Sequence, residues 1–399
     1  VSEPILELRG ITKTFPGVRA LDSVHFDLRR GEIHALMGEN GAGKSTFIKV
    51  ITGVHQPDSG EIWLDGRRVS FENPNDAQAV GIAAIYQHVT SYPDLSVTEN
   101  IFVGHEKTGR FGRLRWGDMH AEAERLLSRV GATFSPKAQM SSLSVAQQQI
   151  VEIAKAFSQH ARIVIMDEPT AALTKRESDD LYRITEQLRD EGVSIIFISH
   201  RFEDMYRLAS RVTVLRDAAY IGTWEVNSIS PQAMIVAMVG REITQLFPKK
   251  DNALGDEILR VEGLSKAGYF ADISFSLRAG EILGFTGLVG AGRSELFQSI
   301  FGIMPYDSGR ILVQGREVVV ADPGAAMRAG VAYLPEDRQR QGLVLSWSIG
   351  RNISLPALKS YAPRGWIRER EETRCSHALS ARLTVKARSV HDLASSLSG

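Results

Sequence analysis

Short apolar runs alternate with amphipathic stretches along the chain. Ile33–Met37, Ile82–Tyr86, Ile163–Met166 and Ser194–Ile198 read as short buried strands. Between and beyond them, a stretch opening at Lys44, then His120–Val130, Gln147–Ser158 and Lys175–Arg189, carry helical periodicity. Strands alternating with helices of this length predict α/β layers around a largely parallel sheet. Helices at Met119–Val130 and Lys175–Arg189 are charged on one face, which reads as solvated surface. The apolar runs fall far below the ~18 residues of a spanning helix. The N-terminus has neither a basic nor an apolar leader region, so no secretory signal is expected.

The pattern occurs twice. Gly31-Glu32-Ile33, Gly38 and Gly41-Ala42-Gly43-Lys44-Ser45 return as Gly280-Glu281-Ile282, Gly287 and Gly290-Ala291-Gly292-Arg293-Ser294, at a constant offset of 249. The same offset relates Asp58-Ser59-Gly60 to Asp307-Ser308-Gly309 and Gly81 to Gly330. With small register shifts, Ser96–Asn100 faces Ser348–Asn352 and Leu143-Ser144 faces Leu397-Ser398. Such a register predicts tandem related domains: residues 1–240, a short polar linker at 241–257, and residues 258–399. The first copy runs about a hundred residues past Ser144, whereas the second stops at Gly399, so it is expected to be C-terminally shortened.

Composition narrows the class. With 399 residues, two or three domains are expected. The 47 basic and 47 acidic residues cancel, which argues against a dedicated nucleic-acid binder. Cys375, the one cysteine, excludes an internal disulfide and fits a reducing compartment. The ten histidines form no i, i+4 pair with a nearby acid, so no metal site built from protein ligands alone is expected.

The chemistry begins at Gly38-Glu39-Asn40-Gly41-Ala42-Gly43-Lys44-Ser45, which fits GxxxxGK[ST] and lies between a predicted strand and a predicted helix. Glycines let backbone N–H groups turn around an anion, and the helix N-terminus adds partial positive charge. Lys44 then reaches outer phosphates, and the Ser45 hydroxyl is a ligand for Mg2+. The strand Ile163–Met166 delivers Asp167 to its C-terminal end, a second Mg2+ ligand, followed by Glu168 to polarise an attacking water. The second loop carries Arg293 where the first has lysine, a bulkier, forked cation. Glu336 stands opposite Gln87 at the 249-residue offset, a carboxylate in place of an amide. Gly287, Gly290, Ala291, Gly292, Arg293, Ser294 and Glu336 are therefore expected to form a degenerate site that hydrolyses poorly.

Three further features complete the set: Leu143-Ser144-Val145-Ala146-Gln147 ahead of a helix, Gln87 after the strand Ile82–Tyr86, and His200 after Ser194–Ile198. In this order they resemble the ATP-binding-cassette ATPases over nearly the whole chain. The resemblance implies two tandem P-loop NTPase domains of α/β class, the second incomplete, with ATP and Mg2+ as cofactors. It implies that Ser144, Val145, Ala146 and Gln147 form the signature, which faces the nucleotide of the opposite domain; Ala146 departs from the family's usual glycine. It further implies that Gln87 senses Mg2+, His200 contacts the γ-phosphate alongside catalytic Glu168, and Phe15 stacks on adenine. Thr46 joins the phosphate loop by position. Arg293, Leu334-Pro335-Glu336-Asp337-Arg338 and Ser395-Ser396-Leu397-Ser398-Gly399 resemble the fused two-cassette subunit of bacterial monosaccharide importers. That implies a peripheral protein on the cytoplasmic face of the inner membrane. Its partners would be permease subunits and a sugar-binding protein, and it would bind neither sugar nor nucleic acid itself. The head-to-tail pairing of that family implies that Lys44 needs the second domain's signature, so this chain is expected to bind Mg-ATP but hydrolyse little. Nucleoside importers share much of the pattern. A two-cassette translation factor would carry two lysine loops and a long charged linker, against which Arg293 and the short join argue.

Overall fold

The computed structural model describes the chain except residues 1–2, 16–17, 87–90, 172, 242–252, 289, 363–364, 386 and 398–399. Most of the expected linker lies outside the described residues. Backbone proximity divides the chain into two compact units, residues 1–244 and 245–397.

Among the described residues the first unit contains ten strands: β1 (Pro4–Phe15), β2 (Val18–Arg29), β3 (Ile33–Met37), β4 (Ser59–Leu64), β5 (Arg67–Val69), β6 (Ile82–Ile85), β7 (Ile163–Asp167), β8 (Ser194–Ile198), β9 (Arg211–Arg216) and β10 (Ala219–Glu225). Its helices are α1 (Lys44–Ile51), α2 (Pro74–Ala79), α3 (Val97–Phe102), α4 (Trp116–Arg129), α5 (Val145–Ser158), α6 (Lys175–Asp190), α7 (Phe202–Leu208) and α8 (Pro231–Val239). The strands form one sheet in the order β5-β4-β1-β2-β10-β9-β3-β8-β7-β6.

The expected largely parallel sheet is one part of this. Strands β9, β3, β8, β7 and β6 are parallel neighbours, but β5, β4, β1 and β2 pair antiparallel, as do β9 and β10. Strands β3, β6, β7 and β8 are buried on both faces, which is why they read as continuous apolar runs. Alternate residues serve opposite layers. Val164 and Met166 of β7 face the layer of α3, α4, α5 and α6, while Ile163 and Ile165 face the layer of α1 and the antiparallel strands. Helix α1 and helix α5 therefore cover opposite faces.

Helix starts follow local chemistry. Ser96/Glu99, Ser144/Gln147 and Thr174/Glu177 form reciprocal capping boxes at α3, α5 and α6.

The second unit contains β11 (Glu257–Lys266), β12 (Phe270–Arg278), β13 (Ser308–Val313) and β14 (Arg316–Glu317), paired antiparallel in the order β12-β11-β13-β14. Its helices are α9 (Arg293–Ile300), α10 (Pro323–Arg328), α11 (Ile349–Ser354), α12 (Leu358–Tyr361) and α13 (Glu369–Arg382). The internal repeat survives as bonding. Thr14 N donates to Asp58 at 2.6 Å and Ala267 N to Asp307 at 2.7 Å. Tyr92 N donates to the Asn100 side chain at 2.7 Å and Val344 N to that of Asn352 at 2.8 Å. The counterparts of β3 and β6, around residues 282–286 and 331–334, belong to no described strand. In the first unit β3 lies between β8 and β9, and β6 lies beside β7. In the second unit the corresponding Ile282 and Leu334 are exposed, at 98% and 89%.

Candidate active site

Strand β3 ends at Met37 and the chain turns through residues 38–43 into α1. Two glycines make the turn. Gly43, the N-cap of α1, has φ 104°, and a Cβ there would lie 2.5 Å from the Ala20 carbonyl oxygen of β2. A Cβ on Gly38 would meet the Leu215 carbonyl oxygen of β9 at 2.4 Å. The loop is thus pressed against β2 on one side and β9 on the other. Ala42 is buried beneath it, while Glu39, Asn40 and Gly41 are exposed.

Lys44 opens α1 and is buried, with 8% exposure. Its ammonium donates to the Gly38 carbonyl at 2.6 Å and the Glu39 carbonyl at 3.2 Å, which holds the charge inside the turn. Burial lowers its pKa, against the opposing pull of Glu168, Asp167 and Glu39. Ser45 is exposed and Thr46 half-buried in the same first turn.

Strands β3, β8 and β7 are successive neighbours, with Leu36 opposite Ile198 and Ile198 opposite Asp167. Their C-terminal ends open at one edge, where ligands of parallel sheets bind. Asp167 ends β7. Burial pushes its carboxyl up to about 6, Glu168 adds to the rise and Lys44 opposes it. Glu168 takes φ 48°, an uncommon left-handed conformation for glutamate, with its N–H donating to the Ile198 carbonyl at 2.8 Å. His200 follows β8, and its Nδ1 lies 3.2 Å from Glu168 Oε1. The spacing of single histidines gave no hint of that contact; it arises because β7 and β8 are adjacent.

The sheet therefore brings together the loop 38–46, Asp167, Glu168 and His200. Phe15 ends β1, opposite Val18 of the same hairpin whose β2 abuts Gly43; its ring meets His55 edge-on at 5.1 Å. Gln87 lies outside the described residues, just past β6. Ser144 to Gln147 are not at this site. They cap α5 on the layer opposite α1, with Ser144 N donating to Gln147 Oε1 at 2.9 Å and Val145 49% exposed. In the second unit Gly290 and Gly292 repeat the left-handed turn at φ 82° and 78°, and a Cβ on Gly292 would meet the Tyr269 carbonyl oxygen at 2.4 Å. Gly287 leads into that turn and Ala291 lies within it. Arg293 and Ser294 are exposed there, unlike buried Lys44, and Glu336 is exposed on an unpaired segment.

Loop amides at a helix start, a buried lysine and a carboxylate pair suit binding and hydrolysis of a polyphosphate. Comparison with known proteins decides the family. A model described as ABC transporter matches residues 21–171 and again 270–399. The chain belongs to the ABC transporter family. It is a two-cassette ATPase chain. It is 46% identical over 396 residues to the ribose import ATP-binding protein RbsA of Rhodococcus jostii, covering 99% of this chain and 79% of that protein. To the protein of the same name from Jannaschia it is 45% identical over 397 residues, covering 100% of this chain and 77% of the relative. A solved ATP-binding cassette of an ABC transporter in its ADP conformation superposes with a TM-score of 0.53 at 22% identity, covering 61% of this chain and 100% of that one. A nucleotide-free cassette gives 0.51 at 23% identity, covering 58% and 98%. These two likenesses confirm the cassette fold.

Proposed function

We infer that this chain is the ATP-hydrolysing subunit that energises import of a monosaccharide, with ribose the first candidate from the names of its relatives. The observation that carries the reading is the convergence of Lys44, Asp167, Glu168 and His200 at the C-terminal ends of three adjacent strands.

Amides of residues 41–46 and the Lys44 ammonium bind the β- and γ-phosphates, and the face of Phe15 receives the adenine. The Ser45 hydroxyl and the Asp167 carboxylate are an all-oxygen donor set, which fits Mg2+ with phosphate and water oxygens completing the shell. Gln87 is a third candidate ligand. When bound, the ion neutralises phosphate charge. Glu168 accepts the proton of the attacking water and His200, within reach of Glu168, orients the γ-phosphate. The exposed start of α5 at Ser144–Gln147 is offered to the nucleotide of a partner cassette, and the Ala146 methyl narrows that approach. The Arg293 loop binds nucleotide weakly and turns it over poorly, because its forked cation is exposed where Lys44 is buried.

Among the described residues no helix is long and apolar enough to cross a membrane. The chain sits peripherally on the cytoplasmic face of the inner membrane, where transmembrane permease subunits supply the pore and a separate sugar-binding protein the sugar pocket. The test is ATP turnover by this chain assembled with permease and binding protein. Ribose is expected to stimulate turnover, and Glu168→Gln to abolish it while leaving nucleotide bound. Turnover insensitive to every sugar, but stimulated by a nucleoside, would redirect the reading.

A further inference from the structure

Beneath the catalytic edge lies a carboxylate that the reaction as described does not use. Asp204, in the first turn of α7, is fully buried. A buried carboxylate persists only where hydrogen bonds replace its water. Asp204 accepts from Thr170 Oγ1 at 2.6 Å, from Ser199 Oγ at 2.7 Å and from the Tyr182 hydroxyl. Arg201 Nε lies 4.0 Å away. All three hydroxyl-bearing residues are themselves buried.

The donors come from three different segments. Thr170 stands two residues after Glu168, and Ser199 immediately precedes His200. Tyr182 lies on α6, so the carboxylate is anchored to the helical layer. Ser199 Oγ also accepts from Arg201 N at 2.9 Å, which closes the turn around His200. One side chain thus ties the loop after β7 to the loop after β8. Those are the loops whose tips place Glu168 Oε1 3.2 Å from His200 Nδ1. Glu168 also holds a left-handed backbone, a conformation that persists only when its surroundings enforce it.

We propose that Asp204 is a positioning residue for ATP hydrolysis: by accepting the Thr170 and Ser199 hydroxyls together, it fixes the two loops that hold Glu168 and His200 in register. The proposal rests on the ATPase reading of the site. Asp204 touches no reacting atom; it acts through the two residues that do. Because its hydrogen bonds reach the loops after β7 and β8, while Lys44 is held by the Gly38 and Glu39 carbonyls, its loss alters the rate of cleavage and leaves the grip on nucleotide intact.

The experiment uses the full chain in excess over labelled ATP, so that a slow single turnover is still measured, with fluorescent-ATP affinity read in parallel. The near-isosteric Thr170→Val, which removes one donor, is expected to slow cleavage about tenfold or more, the effect of losing a hydrogen bond to a charged group. Thr170→Ser keeps the hydroxyl and should stay near the wild-type rate. Asp204→Asn should slow cleavage at least as much as Thr170→Val, with nucleotide affinity preserved in every folded variant. Cleavage at the wild-type rate by Thr170→Val and Asp204→Asn overturns the proposal. So does an equal loss in Thr170→Ser and Thr170→Val, or a loss of affinity parallel to the loss of rate, since either marks a merely structural role. Absence of ATP binding and cleavage by the folded wild-type chain would instead overturn the ATPase reading itself, and this proposal with it.

Discussion

At the scale of single residues, the site holds its charges in tension. Asp167 is raised from the usual aspartate range to about 6, chiefly by burial. A folded-state pKa above the unfolded one means that the folded chain binds the proton more tightly, so stability is lost as pH rises from the unfolded value through about 6. At neutral pH the ionised carboxylate costs roughly 3 kcal/mol. Asp167→Asn is therefore expected to raise the melting temperature at pH 7 without nucleotide, while weakening Mg-ATP. Wild-type affinity for Mg-ATP should be flat above about pH 6 and fall below it, because the carboxylate is the metal-binding form. Isothermal titration between pH 5 and 8 checks this, with Asp167→Asn in the same buffers accounting for protonation of the nucleotide itself. A wild-type profile parallel to the variant's would contradict it. Lys44, Asp167 and Glu168 were legible in the sequence because each sits at a fixed distance from a strand end. Asp204 was not, because its meaning depends on Thr170 and Ser199 arriving from other strands. His34 was not legible either: it is buried, bonded to Thr213 at 2.8 Å, and burial pushes its imidazole down to about 4, so it is a neutral core group.

At the scale of elements, legibility followed the strength of the local signal. The buried parallel strands β3, β6, β7 and β8 were readable as unbroken apolar runs, and β8 spans the expected Ser194–Ile198, whereas β9, broken by Thr213 between Arg211 and Arg216, went unread. Helices α5 and α6 start beside Ser144 and Thr174, whose side chains cap them. The antiparallel strands β1, β2, β4 and β5 went unread. Their half-buried alternation, broken by register shifts within β1, gives no continuous run. The same logic separates the two repeats. Residues 33–37 are paired on both edges, whereas their counterparts around 282–286 belong to no strand. Amide hydrogen exchange followed by mass spectrometry should show residues 33–37 and 82–85 protected. The segments 282–286 and 331–334 should exchange faster by on the order of a thousandfold or more. Equal protection in the two repeats would contradict this description of the second unit.

At the scale of the molecule, the tandem cassette was visible in the sequence because the repeat keeps one offset through Gly38/Gly287 and Gly81/Gly330. Both copies keep the glycine turn, and the first combines it with a buried lysine, the carboxylates Asp167 and Glu168, and His200. The chain accordingly pairs one turn that holds a buried lysine with one whose arginine is exposed. Its central claim is that Lys44 in this first loop grips nucleotide, and equilibrium titration of the purified chain with a fluorescent ATP analogue and Mg2+ tests it most directly. The account predicts saturable binding that Lys44→Ala abolishes and that Arg293→Ala leaves nearly unchanged. Binding that survives Lys44→Ala, or that vanishes with Arg293→Ala alone, would contradict it.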